Sequence, residues 1–213
     1  MTGRAVDAVL FDFAGVLTTS PFDAIGSIGT HAGIDPAVVL ELVLGPYHLD
    51  TDHPWHRLER GEIALTDYAV AVAASANEAG LDLDFASLRT LFGDLEINDV
   101  VVAKVAELRA AGYRTALITN NVREASGQWR RLLALDDLFD VVVDSSEVGM
   151  RKPDPRIFEH ALAQLGGVEP ARAVFLDDAP GNVDGARAAG LLAIRVKDPI
   201  TALAELDALL AGT

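Results

Sequence analysis

The chain has 213 residues, half of them hydrophobic and 23% charged, with a formal charge of −15 at pH 7 and no cysteine. That charge argues against nucleic-acid or membrane partners, and no apolar run approaches the ~20 residues of a membrane helix. A cytoplasmic, globular enzyme, monomer or homodimer, is expected, with no thiol nucleophile, zinc–thiolate site or disulfide framework.

The first predicted element is the apolar run 8–11, Ala-Val-Leu-Phe, closed by Asp12. It is too short for a helix and suits a buried central strand. Helical spacing follows at 36–44, 66–79 and 84–91, with Gly80 as a stop. Further along, 100–111 repeats apolar residues at helical spacing and stops at Gly112. Short apolar runs at 115–118, 140–143, 173–176 and 191–194 read as strands, and 155–165 and 182–189 as helices, each followed by glycine. Strands alternating with helices predict an α/β fold, a doubly wound parallel sheet covered on both faces. The alternation is broken over 18–95, which reads as an inserted helical cap domain on a core of 1–17 and 96–213. Extra helices packed on the sheet are the other reading of that segment.

In such sheets ligands bind outside the carboxyl ends of the strands, which directs attention to the polar residues ending each run. Asp12 heads Asp12-Phe13-Ala14-Gly15-Val16-Leu17-Thr18, a carboxylate followed by a glycine where the chain must turn. Thr119 and Asn120 offer a hydroxyl and an amide suited to an anionic oxygen, as well as to helix capping. Lys152, one of three lysines, stands in the rigid sequence Gly149-Met150-Arg151-Lys152-Pro153-Asp154-Pro155. Asp177 and Asp178 follow the strand 173–176, and adjacent carboxylates repel unless protons or a cation neutralise them. Mg²⁺, which prefers oxygen ligands, is the expected cation.

These four sites, in this order, resemble the four motifs of the haloacid dehalogenase superfamily, a group dominated by phosphatases. The stretch 176–190, opening Leu176-Asp177-Asp178-Ala179-Pro180-Gly181-Asn182, and the segment 55–63 containing Leu58-Glu59-Arg60-Gly61-Glu62-Ile63, resemble the subgroup whose helical cap follows the first motif. The resemblance implies Asp12 as nucleophile and Thr119, with Asn120, as a binder of phosphoryl oxygens. It implies Lys152 as the cation neutralising nucleophile and phosphate, and Asp12, Asp177, Asp178 and the Ala14 carbonyl as Mg²⁺ ligands. A small phosphorylated molecule is the implied substrate.

One position departs from the family pattern. Phosphatases of the family usually carry a second aspartate two residues after the nucleophile, and here that residue is Ala14. Acid–base help of that kind is typically worth ~10²–10⁴ in rate. Phosphonoacetaldehyde hydrolases resemble the chain in this alanine but need a cap lysine, and 18–95 contains none. Haloacid dehalogenases also lack the second aspartate but do not keep an adjacent metal-binding pair like Asp177-Asp178. Some family phosphatases with glycine there are nonetheless active on sugar phosphates, and that group matches best. A dehalogenase-like hydrolase and a non-catalytic metal- or phosphate-binding member are the alternatives. A replacement acid is sought in the histidine-rich segment 47–56, at His53 or His56. Residues 18–95 hold 12 acidic residues against Arg57, Arg60 and Arg89, a balance of −9 that disfavours highly anionic substrates.

Overall fold

The computed structural model describes residues 4–20, 25, 30, 33–81 and 95–212. Five strands, β1 (Ala8–Phe11), β2 (Arg114–Thr119), β3 (Val141–Asp144), β4 (Ala173–Asp177) and β5 (Leu192–Arg195), form one parallel sheet in the order β3-β2-β1-β4-β5. β1 is all apolar and fully buried, as expected of a strand covered on both faces. Its side chains alternate between two cores. Val9 and Phe11 join Leu117, Val174, Leu176 and Ile194 on one face; Ala8 and Leu10 join Ala116, Ile118, Phe158 and Phe175 on the other.

The covering helices obey ordinary start and stop rules. Helix α5 (Pro155–Gln164) begins with Asp154 accepting from the Arg156 N–H and proline in its first turn. The others on the sheet are α4 (Asp99–Ala110), α6 (Pro180–Ala188) and α7 (Pro199–Ala211). The expected strands and helices that fall within the described residues are present, displaced by a residue or two at their ends.

Between β1 and α4 lie α1 (Pro36–Leu44), α2 (Pro54–Glu59) and α3 (Leu65–Glu78), packed against one another. The helix expected at 84–91 falls outside the described residues. Where the segment leaves and rejoins the sheet its ends are tied: Thr19 N–H donates to the Glu96 carbonyl at 2.9 Å, and Asn98 N–H to that of Leu17 at 2.9 Å. No helix among the described residues is long and apolar enough to cross a membrane.

Candidate active site

The strand order reverses on either side of β1, so a crevice opens beyond the carboxyl ends of β1 and its neighbours. Phe11 pairs in register with Leu176, and Asp12 N–H donates to the Leu176 carbonyl at 2.9 Å. That register brings Asp12 to Asp177 and Asp178. One oxygen from each of the three carboxylates lies within 4.8 Å of the others.

Lys152 is fully buried, its Nζ 2.7 Å from Asp12 Oδ1 and 2.8 Å from Asp177 Oδ2. Asp12 Oδ1 also accepts from the Phe13 N–H at 2.6 Å. Burial alone would depress the lysine, but Asp12 and Asp177 more than offset it and its pKa is raised. Burial, then the neighbouring Asp177, push Asp12 well above the usual carboxylate range, and the same two causes lift Asp178 to about 6. Three carboxylates face a single ammonium.

Asn120 lines the crevice and is tied to Lys152. Its Oδ1 accepts from the Lys152 N–H at 2.8 Å and its Nδ2 donates to the Lys152 carbonyl at 3.0 Å, so the side chain clamps the lysine's backbone. Thr119 is buried at the end of β2, in register with Asp144. Ala14 lines the crevice beside Asp12. Gly15, at φ +90°, is required here: a Cβ on it would sit 2.2 Å from Asp178 Oδ2.

Three neighbouring residues escaped the sequence reading. Arg151 is fully buried, its Nε 2.6 Å from Oε2 of the equally buried Glu59 and its Nη1 donating to the Leu49 carbonyl at 2.5 Å. Its guanidinium lies over the Tyr47 ring, 5.1 Å from the centroid, and the Tyr47 hydroxyl donates to Glu59 Oε1 at 3.4 Å. Asn182 donates through Nδ2 to both Asp177 oxygens at 3.1 Å. Its own Oδ1 is buried with no hydrogen-bond partner. The one available signal was that Arg151, Glu59 and Asn182 lie within the segments already singled out.

The two histidines are engaged elsewhere, which corrects the search for an acid in 47–56. His53 Nδ1 accepts from the Trp55 N–H at 3.2 Å and caps α2. His56, fully buried, accepts at Nδ1 from the Thr51 N–H at 3.1 Å. Burial, aided by Arg151, His53 and Arg60, depresses it to about 3, so it carries no proton to give at neutral pH. Neither lines the crevice. Because the folded-state pKa lies below the unfolded value of ~6.5, the unfolded chain takes up this proton first as pH falls. The contribution to stability is complete above that value and is lost toward about 3. The urea midpoint is therefore expected to drop between pH 7 and 5, with a shallower drop in His56→Gln; equal slopes would remove His56 as the cause.

Above the carboxylates the crevice widens into a cavity of about 900 Å³, walled by the loop after β1, by α1, α2 and α3, and by residues 120–129.

Comparison with known proteins agrees with this fold. The family model for haloacid dehalogenase-like hydrolases matches residues 6–190. Acyl-CoA dehydrogenase family member 10 of Mus musculus is 34% identical over 98% of the chain, which spans only 19% of that protein's length. Sesquiterpene phosphatase astK of Aspergillus oryzae is 28% identical over 93% of the chain and 94% of its own length. Among solved structures, one described as a dehalogenase superposes with a TM-score of 0.67 at 22% identity, covering 97% of this chain and 98% of its own.

Proposed function

The chain belongs to the haloacid dehalogenase-like hydrolases, and from that membership we propose that it is a Mg²⁺-dependent phosphatase of small phosphomonoesters with Asp12 as nucleophile. The observation that carries the reading is the Lys152 ammonium seated between Asp12 and Asp177 at the sheet's carboxyl edge. A carboxylate attacks a phosphate dianion poorly unless nearby positive charge suppresses the repulsion.

Asp12 Oδ1 holds the bonds from Lys152 and the Phe13 N–H, which leaves Oδ2 for attack. Oδ2 forms a bond to phosphorus as the ester oxygen departs in line, giving an aspartyl-phosphate that water hydrolyses. Lys152, its backbone fixed by Asn120, stays charged throughout. Thr119 stands at the edge where phosphoryl oxygens would bind.

The residues fit a divalent cation. Asp12, Asp177 and Asp178, with the Ala14 carbonyl, would hold Mg²⁺. The raised carboxyls of Asp12 and Asp178 mark unneutralised charge, and the unpartnered Asn182 Oδ1 suits a water in its shell. When bound, the ion supplies charge neutralisation to the phosphate. Asp178→Ala is expected to lower Mg²⁺ affinity at least tenfold in calorimetry with an unchanged circular dichroism spectrum; unchanged affinity would dismiss Asp178 as a ligand.

Residues 18–95 serve as the cap and 1–17 with 96–213 as the core, a division supported by the pairing of 17–19 with 96–98. Ala14 supplies no proton to a departing oxygen, so aryl phosphates with stable leaving groups turn over best. The same alanine favours a second reading, dehalogenation, since halide leaves without a proton. Mg²⁺-dependent hydrolysis of an aryl phosphate tests the first reading and chloride release from 2-chloropropionate the second. Failure of both would leave a binding protein.

A further inference from the structure

We propose that the substrate is the monophosphate ester of a long, uncharged, apolar alcohol, whose hydrocarbon tail fills the cavity above Asp12. The inference rests on the phosphatase reading. At about 900 Å³ the cavity stands near the top of the roughly 300–1,000 Å³ range of small-molecule sites, and a phosphoryl group occupies only its floor. The wall above is formed by Phe13, Val43, Leu44, Trp55, Tyr68 and Trp129. A polyol in that chamber would need hydrogen-bonding partners.

Several polar groups of the wall are engaged within the protein. The Tyr68 hydroxyl donates to the Val43 carbonyl at 2.9 Å, and Glu124 accepts from the Leu65 N–H at 2.9 Å. Asn120 clamps Lys152, and Tyr47 bonds Glu59. The buried Trp129 indole N–H and Asn182 Oδ1 are left without partners, and Thr66, Asn121 and Gln128 complete the polar lining, a sparse set beside the donors and acceptors that a sugar would call for. The charged side chains of the lining, Asp12, Glu59, Glu124 and Asp178, are all acidic, so a leaving group carrying its own phosphate or carboxylate is repelled. An apolar tail meets none of these penalties and gains from displacing water.

The probe is a series of n-alkyl phosphates from ethyl to dodecyl, kept below their micelle concentrations, with glucose 6-phosphate and phenyl phosphate alongside. The alcohols of the series differ little in acidity, so chain length reports contacts rather than chemistry. Before the cavity is full, kcat/KM should rise by up to about fourfold per methylene, which is the ~0.8 kcal/mol of burying one CH₂. Ala69→Trp, narrowing the cavity from α3, should cut the dodecyl-to-ethyl ratio at least tenfold. A flat profile, or a preference for glucose 6-phosphate, overturns the inference. Calorimetric affinities of the same series for Asp12→Asn protein separate the two readings. Affinity rising with chain length while no ester is hydrolysed by wild type sinks the phosphatase and keeps the ligand class. Affinity independent of chain length sinks the ligand class, whatever phenyl phosphate does.

Discussion

Asp12→Asn protein is expected to fold normally and to lose hydrolysis of an aryl phosphate by a factor on the order of 10⁴ to 10⁶, the scale seen when an enzyme's nucleophile is removed. The amide keeps the shape and can still accept the Phe13 N–H, but it cannot form the covalent intermediate. Stability should not suffer. Asp12 is a carboxylate whose ionisation is opposed by burial and by Asp177, and Lys152 retains Asp177 as its partner at 2.8 Å. A loss of less than about a hundredfold in the mutant, corrected for a mock purification and with Tm unchanged, would exclude Asp12 as nucleophile. A mutant that unfolded would instead show that the Lys152–Asp12 pair holds the crevice together.

The second large effect is on stability. Glu59→Ala should cost about 3–5 kcal/mol in urea unfolding, because it strands the Arg151 guanidinium, wholly buried, without its carboxylate. Tyr47 offers its ring face, and Asp50 lies 3.7 Å from Nη1. Replacing both partners, Glu59→Leu with Arg151→Met, should recover most of the loss, since a buried ion pair contributes little beyond what an apolar pair supplies. A Glu59→Ala cost below 1 kcal/mol would show that Asp50 and the Leu49 carbonyl suffice for the arginine. The pair joins α2 to the turn carrying Lys152, so the double mutant also asks whether that tie sets the lysine's position: turnover should fall even where stability returns.

The sheet and most of its helices were legible because their signals are local. Apolar runs of about four residues between helical repeats can be read from neighbours alone. The strands run one residue beyond most of those runs, taking in Thr119, Asp144 and Asp177, because the ladder is made by the backbone and continues past the first polar side chain. α2, six residues long, is too short to display a period; His53 as cap and Pro54 at the first helical position were its available signals. Asp12, Asp177 and Asp178 stood out because a strand end in a parallel sheet is a place that sequence can specify, and Lys152 because it stands in a proline-stiffened turn. The Arg151–Glu59 pair was not, since it joins residues 92 apart in the chain that only packing brings together. His53 and His56 misled for a related reason. Histidines in a polar stretch read as available, whereas burial and two backbone N–H groups engage them.

The central place of β1 also governs how the chain acquires its structure. Ala8 pairs with Arg114 on one side and Ala173 on the other, so this wholly apolar strand finds neither neighbour until more than a hundred further residues have been made. Closing such long loops lowers chain entropy before any contact repays it, which places the protein among slow, high contact-order folders. During synthesis Ala8–Phe11 emerges early and waits, with its edges unpaired, for β2 and then for β4. Nascent chains stalled before residue 173 should therefore be aggregation-prone and dependent on chaperones, and release from that state should come with the emergence of β4 rather than gradually with length.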